Sequence, residues 1–449
     1  ETVQIGLRSK RALGRVEVRV SEVKNADGGK LPAPEVWRVG YVKVDHPSSY
    51  YSTDLPPQFR FIPRGTGGSD GWTGEWPDPL VPMRPFELQP NRTVPVIIVI
   101  RVPEGAVPGD YRGKIRVEAE GISPIDIPVV VHVWRFVLPR ENRLKVIFDL
   151  RSGPGWNVMS DPESLRKWYR FLAEYRISPG WINPQPVFRL EGGRVQIETD
   201  KFDEMAHLCL DELGMNVFYL PFFYAFGWAY KPRPLFGLEP FTNGYNEAFR
   251  KAYKGFANHL RERGWFSKAV YYISDEPHYR YDYVVSQMKK LCDMAHGFEP
   301  DLPIYSSTWV FVPEWEGYLD IWGIGPHGSC PVDRMRKLKE KGFDLWFTTD
   351  GHMCIDTPYL AVERLLPWLC FKYGVSGYEF WGVSWWTYDP WVRGWHRYIR
   401  QSAEGKKWRW VRYPDGDGYL AYPGERAGLK GPVPSIRILA VRDGVEDYE

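Results

Sequence analysis

Between residues 144 and 382 the chain repeats one pattern: a short apolar run, then an amphipathic stretch. Eight such runs read as strands: Leu144–Leu150, Ile177–Asn183, Met215–Leu220, Ala269–Asp275, Pro303–Thr308, Leu319–Gly325, Phe343–Thr349 and Gly377–Gly382. The intervening stretches Pro162–Tyr175, Phe202–Leu213, Tyr245–Arg263, Tyr283–His296 and Pro358–Tyr373 carry the 3.6-residue period of helices. Strands that alternate with helices pair in parallel, and eight of them close into a (β/α)8 TIM barrel. The sixth strand follows the fifth with little room for a helix, so that boundary is soft.

The residues before the barrel follow another rule. Runs such as Arg15–Val20, Val94–Ile100, Tyr111–Val117 and Ile127–Trp134 are rich in β-branched residues and separated by Pro/Gly turns. Strands at this spacing without helical periodicity predict a β-sandwich. Phe136–Arg140 closes it. The tail from about Trp408 has Gly/Pro-rich turns and short strands, while Arg442–Glu449 reads as the start of a helix. The expected layout is a β-sandwich over 1–140, a catalytic (β/α)8 barrel over 141–400 and a short C-terminal β-rich segment over 401–449.

Charge and cysteine usage exclude several functions. The 58 basic and 56 acidic residues leave a formal charge of +2, which gives no electrostatic footprint for nucleic acid or an anionic membrane. No apolar run is long enough to span a bilayer. The five cysteines, Cys209, Cys292, Cys330, Cys354 and Cys370, lack C-x-x-C spacing and read as buried free thiols. Histidines are not spaced as metal ligands, and neither a catalytic Ser-His-Asp motif nor a phosphate loop stands out. No metal or other cofactor is expected. The first residues lack an initiator Met, as in the mature form of an exported protein and equally in a trimmed chain; an extracellular or periplasmic location is the expectation.

Barrel enzymes place their active sites at the C-terminal ends of the strands. The fourth strand ends Ser274-Asp275-Glu276-Pro277-His278. Two adjacent carboxylates there can converge on one ligand only because the strand is ending, since neighbouring strand residues otherwise face opposite sides. Pro277 ends regular pairing. The bland reading is a turn with solvated acids. The eighth strand and its loop, Tyr378 to Trp391, hold four Trp and two Tyr in fourteen residues. Aromatics make up 16% of the chain, and aromatic faces pack on the C–H faces of pyranose rings. Tyr378, Trp381, Trp385 and Trp386 are therefore candidate sugar-binding residues. Other strand ends add Trp309, His327 and Asp350, with Asn183 and His352 as further groups able to bond a hydroxyl.

The run Ile273-Ser274-Asp275-Glu276-Pro277 resembles the catalytic motif of the β-N-acetylgalactosaminidases of glycoside hydrolase family 123. The segments 416–424, 431–437 and 442–448 resemble the C-terminal domain shared by relatives of those enzymes. The resemblance implies a retaining glycosidase with substrate-assisted catalysis. The substrate's 2-acetamido oxygen attacks the anomeric carbon, Glu276 serves as acid and then base, and Asp275 orients the acetamido group. The implied partner is a GalNAc-containing glycan or glycoside, with no nucleic acid and no membrane. Two other readings stand beside it. In one, Glu276 is the acid/base and Asp350 or Glu379 is a carboxylate nucleophile acting on another sugar. In the other, the chain is a non-catalytic carbohydrate-binding protein.

Overall fold

The computed structural model describes residues 1–44, 73–153, 157–222, 232, 234–325, 330–349, 353–356, 360–392, 397–401, 408–412 and 415–449; side chains at 361, 397–401 and 408–412 are outside that description. Two four-stranded antiparallel sheets form the N-terminal layer. In one, the order is Thr2–Leu7, Val94–Val99, Glu35–Val44, Gly74–Pro82; in the other, Phe86–Leu88, Leu13–Val20, Gly109–Glu118, Ile125–Val133. Alternation sorts the side chains. Val96 and Ile98 meet Val16, Val18, Ile115 and Val117 between the sheets, whereas Ile97 and Val99, one residue away, join Val39, Val42 and Leu80 against the barrel.

All eight expected barrel strands are present: Lys145–Phe148, Ser178–Pro179, Phe218–Tyr219, Ala269–Asp275, Ile304–Trp309, Ile321–Ile324, Asp344–Thr349 and Gly377–Phe380. The paired neighbours are parallel, in the spatial order 2-1-8-7-6-5-4-3. The Tyr219 N–H donates to the Gly180 carbonyl at 2.7 Å, which bridges the remaining gap between the second and third strands. Ile147, Val217, Tyr219, Val270, Tyr272, Tyr305, Ile321 and Trp346 fill the barrel interior with Trp181 packed against them. Their sequence neighbours, such as Phe148, Phe218, Tyr271, Ile304 and Phe347, pack outward under the helices. An additional antiparallel hairpin, Val187–Glu191 with Arg194–Glu198, follows the second strand.

In the tail, the described β structure is two short ladders, Arg397–Gln401 with Trp408–Arg412 and Ala421–Tyr422 with Val433–Pro434. The chain then forms a helix, Ile436–Tyr448, longer than the helix start suggested by Arg442–Glu449. The Ser435 hydroxyl accepts the Ile438 N–H at 3.2 Å and caps it. This helix supplies the outer cover after the eighth strand. Arg364 of helix Ala361–Tyr373 pairs with Asp447, and Arg176 beyond helix Pro162–Glu174 pairs with Glu446. Nine consecutive residues, Arg437 to Val445, are buried, so the helix is enclosed on all sides and carries its charges inside as pairs.

No described helix is long and apolar enough to cross a membrane. All five cysteines are buried free thiols. Among the described residues, no three His, Cys, Asp or Glu side chains are grouped to hold a metal ion.

Candidate active site

A register irregularity in the fourth strand sets the geometry at its end. Tyr272 pairs with Tyr305 and Ser274 with Ser306, and the shift between them is a β-bulge. In a regular strand, residues three apart face opposite sides; the bulge re-aims Asp275 to the same side as Tyr272. Oδ1 of Asp275 accepts from the Tyr272 hydroxyl at 2.8 Å and from the Ser307 hydroxyl at 2.8 Å. The two hydroxyls lie 2.8 Å apart and close a triangle. Oδ2 of Asp275 takes no hydrogen bond among the described residues.

Glu276 leaves the strand at φ +45, a left-handed conformation that costs a non-glycine residue on the order of 1–2 kcal/mol. Its N–H points at Ser307, 3.2 Å from the carbonyl and 3.3 Å from the hydroxyl. Ser307 therefore contacts both members of the Asp275-Glu276 pair. The fifth strand ends in the same way: Trp309 sits at φ +61 after a second bulge, half-buried at the C-terminal rim. Two strained non-glycine residues on adjacent strand ends mark this rim as built for something other than stability.

Two further carboxylates lie deeper. Asp149 directly follows the first strand, 2% exposed, and its Oδ2 accepts Nε and Nη2 of Arg151 at 3.0 and 2.6 Å. Burial pushes the Asp149 carboxyl up to about 6; Arg151 opposes the rise and the charge of Asp275 adds to it. Gly180 makes room for this carboxylate, because a Cβ there would collide with Asp149 Oδ1. Glu379 of the eighth strand is 4% exposed and accepts from Thr348. Burial, reinforced by Asp149 and Asp275, pushes its carboxyl well above the usual range.

The aromatic candidates separate into two groups. Trp381 and Trp385 are half-buried and meet edge to face, with centroids 5.1 Å apart. The Arg151 guanidinium lies 5.5 Å over the Trp381 ring, and the Trp381 Nε1–H donates to Asp417 Oδ1 at 2.9 Å. Tyr378 and Trp386 do not line the mouth. Strand alternation turns Glu379 inward and Tyr378 outward, where its ring packs on Phe148 at 5.0 Å and its hydroxyl meets Met353 Sδ. Trp386 is buried beside Trp168 of the first outer helix and donates to the Ala421 carbonyl at 2.9 Å. Of the remaining strand-end candidates, His327, Asp350 and His352 lie outside the described residues, and the Asn183 side-chain amide is directed at Met159 Sδ.

Asp149, Arg151 and Asp417 are absent from the sequence-derived candidates. Asp149 was within reach of the same reasoning, since it lies at the C-terminal end of the first strand, one residue beyond Phe148. Asp417 had no such signal, because it arrives from the tail. The assembled rim offers paired carboxylates, a cation, two accessible indoles and a buried acidic floor. Acid–base chemistry on a polar ligand with apolar faces suits that set.

Comparison with known proteins agrees with this chemistry. Residues 230–449 match the family model described as the glycoside hydrolase 123, catalytic domain. No match was found among curated proteins. A family 123 glycoside hydrolase from Clostridium perfringens, whose structure concerns glycolipid glycan hydrolysis, is 15% identical, with a TM-score of 0.65 over 100% of this chain and 80% of its own. A family 39 β-xylosidase from Caulobacter crescentus is 14% identical, with a TM-score of 0.38 over 69% of this chain and 72% of its own. The first of these likenesses extends over the sandwich, the barrel and the tail, and the family match covers the fourth to eighth barrel strands with their catalytic-face residues. The chain is a glycoside hydrolase whose residues 230–449 match the glycoside hydrolase 123 catalytic domain.

Proposed function

We propose that the protein releases β-linked N-acetylgalactosamine from a glycan or glycoside, with retention of configuration and with the substrate's own 2-acetamido group as nucleophile. The observation that carries this reading is the Asp275-Glu276 pair on its bulged strand end. Oδ1 of Asp275 is occupied by two hydroxyl donors, and Oδ2 is left to accept the acetamido N–H. That contact orients the acetamido oxygen toward the anomeric carbon and stabilises positive charge on the nitrogen as the oxygen attacks. Glu276 gives its proton to the leaving oxygen as the glycosidic bond breaks. The carboxylate so formed takes a proton from water, which opens the oxazolinium ring from the opposite face. Two inversions at the anomeric carbon give net retention, without a protein nucleophile. Trp381 and Trp385 supply apolar faces for the sugar.

The competing scheme, a carboxylate nucleophile at Glu379, is disfavoured by its burial, its Thr348 contact and a carboxyl pushed upward by that burial, all of which oppose the exposed, charged form that a nucleophile needs. An extracellular or periplasmic site of action suits a glycan substrate. The test is a pair of variants with an inactivator. Asp275→Asn and Glu276→Gln should each lower turnover of an aryl GalNAc glycoside by at least about a hundredfold. A 2-fluoro sugar should leave no covalent adduct; an adduct on Glu379 or Asp350 would establish the other mechanism.

A further inference from the structure

Trp381 is held from four directions. Its indole N–H donates to Asp417 Oδ1 at 2.9 Å, Arg151 covers one face at 5.5 Å, and Trp385 meets it edge to face at 5.1 Å. On the fourth side lies Gly418, at φ +84, where any Cβ would collide with the six-membered ring of Trp381. Two of these four restraints, Asp417 and Gly418, come from one loop of the tail.

That loop is itself tied down. The Gly418 carbonyl accepts the Trp385 N–H at 3.0 Å, and the Asp415 carbonyl accepts the Ile355 N–H at 2.7 Å. Arg437 Nη1 donates to the Gly416 carbonyl at 2.9 Å. The same guanidinium is bidentate to Asp78 of the sandwich strand Gly74–Pro82, at 2.9 and 2.9 Å, with both side chains 2% exposed or less. A continuous line of polar contacts thus runs from the sandwich, through the tail, to an indole at the barrel mouth. Asp417 is fully buried, which is costly for a carboxylate unless its partners use it. It also lies within the electrostatic reach of Glu276.

The geometry points to Asp417 as a positioning residue of the sugar site: its carboxylate fixes the orientation of the Trp381 indole and thereby the aromatic face offered to the substrate. This rests on the reading of the barrel mouth as a hexosaminidase site. A platform that contacts the sugar equally in the ground and transition states affects KM more than kcat.

The experiment compares Asp417→Leu, Asp417→Asn, Trp381→Phe and Trp381→Phe/Asp417→Leu on an aryl β-GalNAc glycoside. Leu removes the acceptor, while Asn keeps a carbonyl oxygen for the indole. Asp417→Leu should raise KM about tenfold or more with kcat within about threefold, and Asp417→Asn should raise KM about threefold. The double variant should match Trp381→Phe within about twofold, because both changes break one pair. KM effects that multiply in the double variant, or an unchanged KM in Asp417→Leu, overturn the proposal. A readout independent of turnover separates this from the functional reading. The Trp381 indole N–H resonance, assigned by its loss in Trp381→Phe, should shift in Asp417→Leu and stay near its wild-type position in Asp417→Asn. If the wild type cleaves no hexosaminide, the function fails while the resonance still decides on Asp417. An unmoved resonance in Asp417→Leu overturns the positioning role. Should the Leu variant not fold, the same cycle built on Asp417→Asn decides the question, with KM effects that multiply counting against the proposal.

Discussion

Removing one hydroxyl, with Tyr272→Phe, isolates the support beneath Asp275. The Tyr272 ring is 3% exposed and packs on Tyr219 at 4.6 Å and Tyr305 at 4.9 Å. Phenylalanine fills the same space, so the loss in folding stability should be near the ~1 kcal/mol of one hydrogen bond. The hydroxyl removed is one of two donors to Asp275 Oδ1. A hydrogen bond to a charged group contributes about 1.5–3 kcal/mol. If that support is expressed in the transition state, kcat/KM should fall by about tenfold to about a hundredfold, at about 1.4 kcal/mol per factor of ten. The assay is steady-state hydrolysis of an aryl β-GalNAc glycoside, with thermal unfolding alongside. In an Asp275→Asn background the same change should cost less than about threefold, because the hydroxyl then has no carboxylate to support. Activity of Tyr272→Phe within about twofold of wild type refutes the idea that Asp275 depends on this triangle.

Two other changes probe the frame around the site. Arg437→Met leaves Asp78 buried without its guanidinium and should cost about 3–5 kcal/mol, read as a lower midpoint in urea unfolding; a loss under about 1 kcal/mol would mean the sandwich–tail pair is dispensable. Asp149 is a carboxyl whose folded value is pushed up to about 6, so its contribution to stability is present below about pH 4 and is lost as pH rises through about 6. Unfolding of wild type at pH 4.5 and pH 7.5 should differ more than unfolding of Asp149→Asn, by about 2 kcal/mol, from ~1.36 kcal/mol per pH unit over the roughly 1.5 units between pH 4.5 and 6; equal differences in the two proteins count against it.

The eight barrel strands were legible because buried parallel strands are short, nearly continuous apolar runs, and Ala269–Asp275 is found at its expected limits. The end of that strand also singles out Asp275 and Glu276 as the candidate pair, because their place at a barrel strand end weighs against the bland reading of a turn with solvated acids. The direction of each side chain was less legible. Tyr378 reads as a site residue from its neighbours, yet inward and outward positions alternate, and Glu379 occupies the inward one. The bulge at Tyr272–Ser274 is invisible in the residue types, although it alone brings Asp275 round to its hydroxyl donors. The tail was hardest to read. Residues 436–448 carry Arg437, Arg442 and Asp443 among apolar ones, so no amphipathic stripe announces a helix whose charges are paired inside the protein.

The most direct test of the proposed activity is release of p-nitrophenol from the β-GalNAc and β-GlcNAc glycosides in parallel, with Glu276→Gln as the control. Cleavage of the GalNAc compound, reduced at least about a hundredfold in Glu276→Gln, is the predicted result. Preferential cleavage of the GlcNAc compound would contradict the assigned sugar. Equal rates in wild type and Glu276→Gln would contradict the assigned acid, and with it the mechanism built on the Asp275-Glu276 pair.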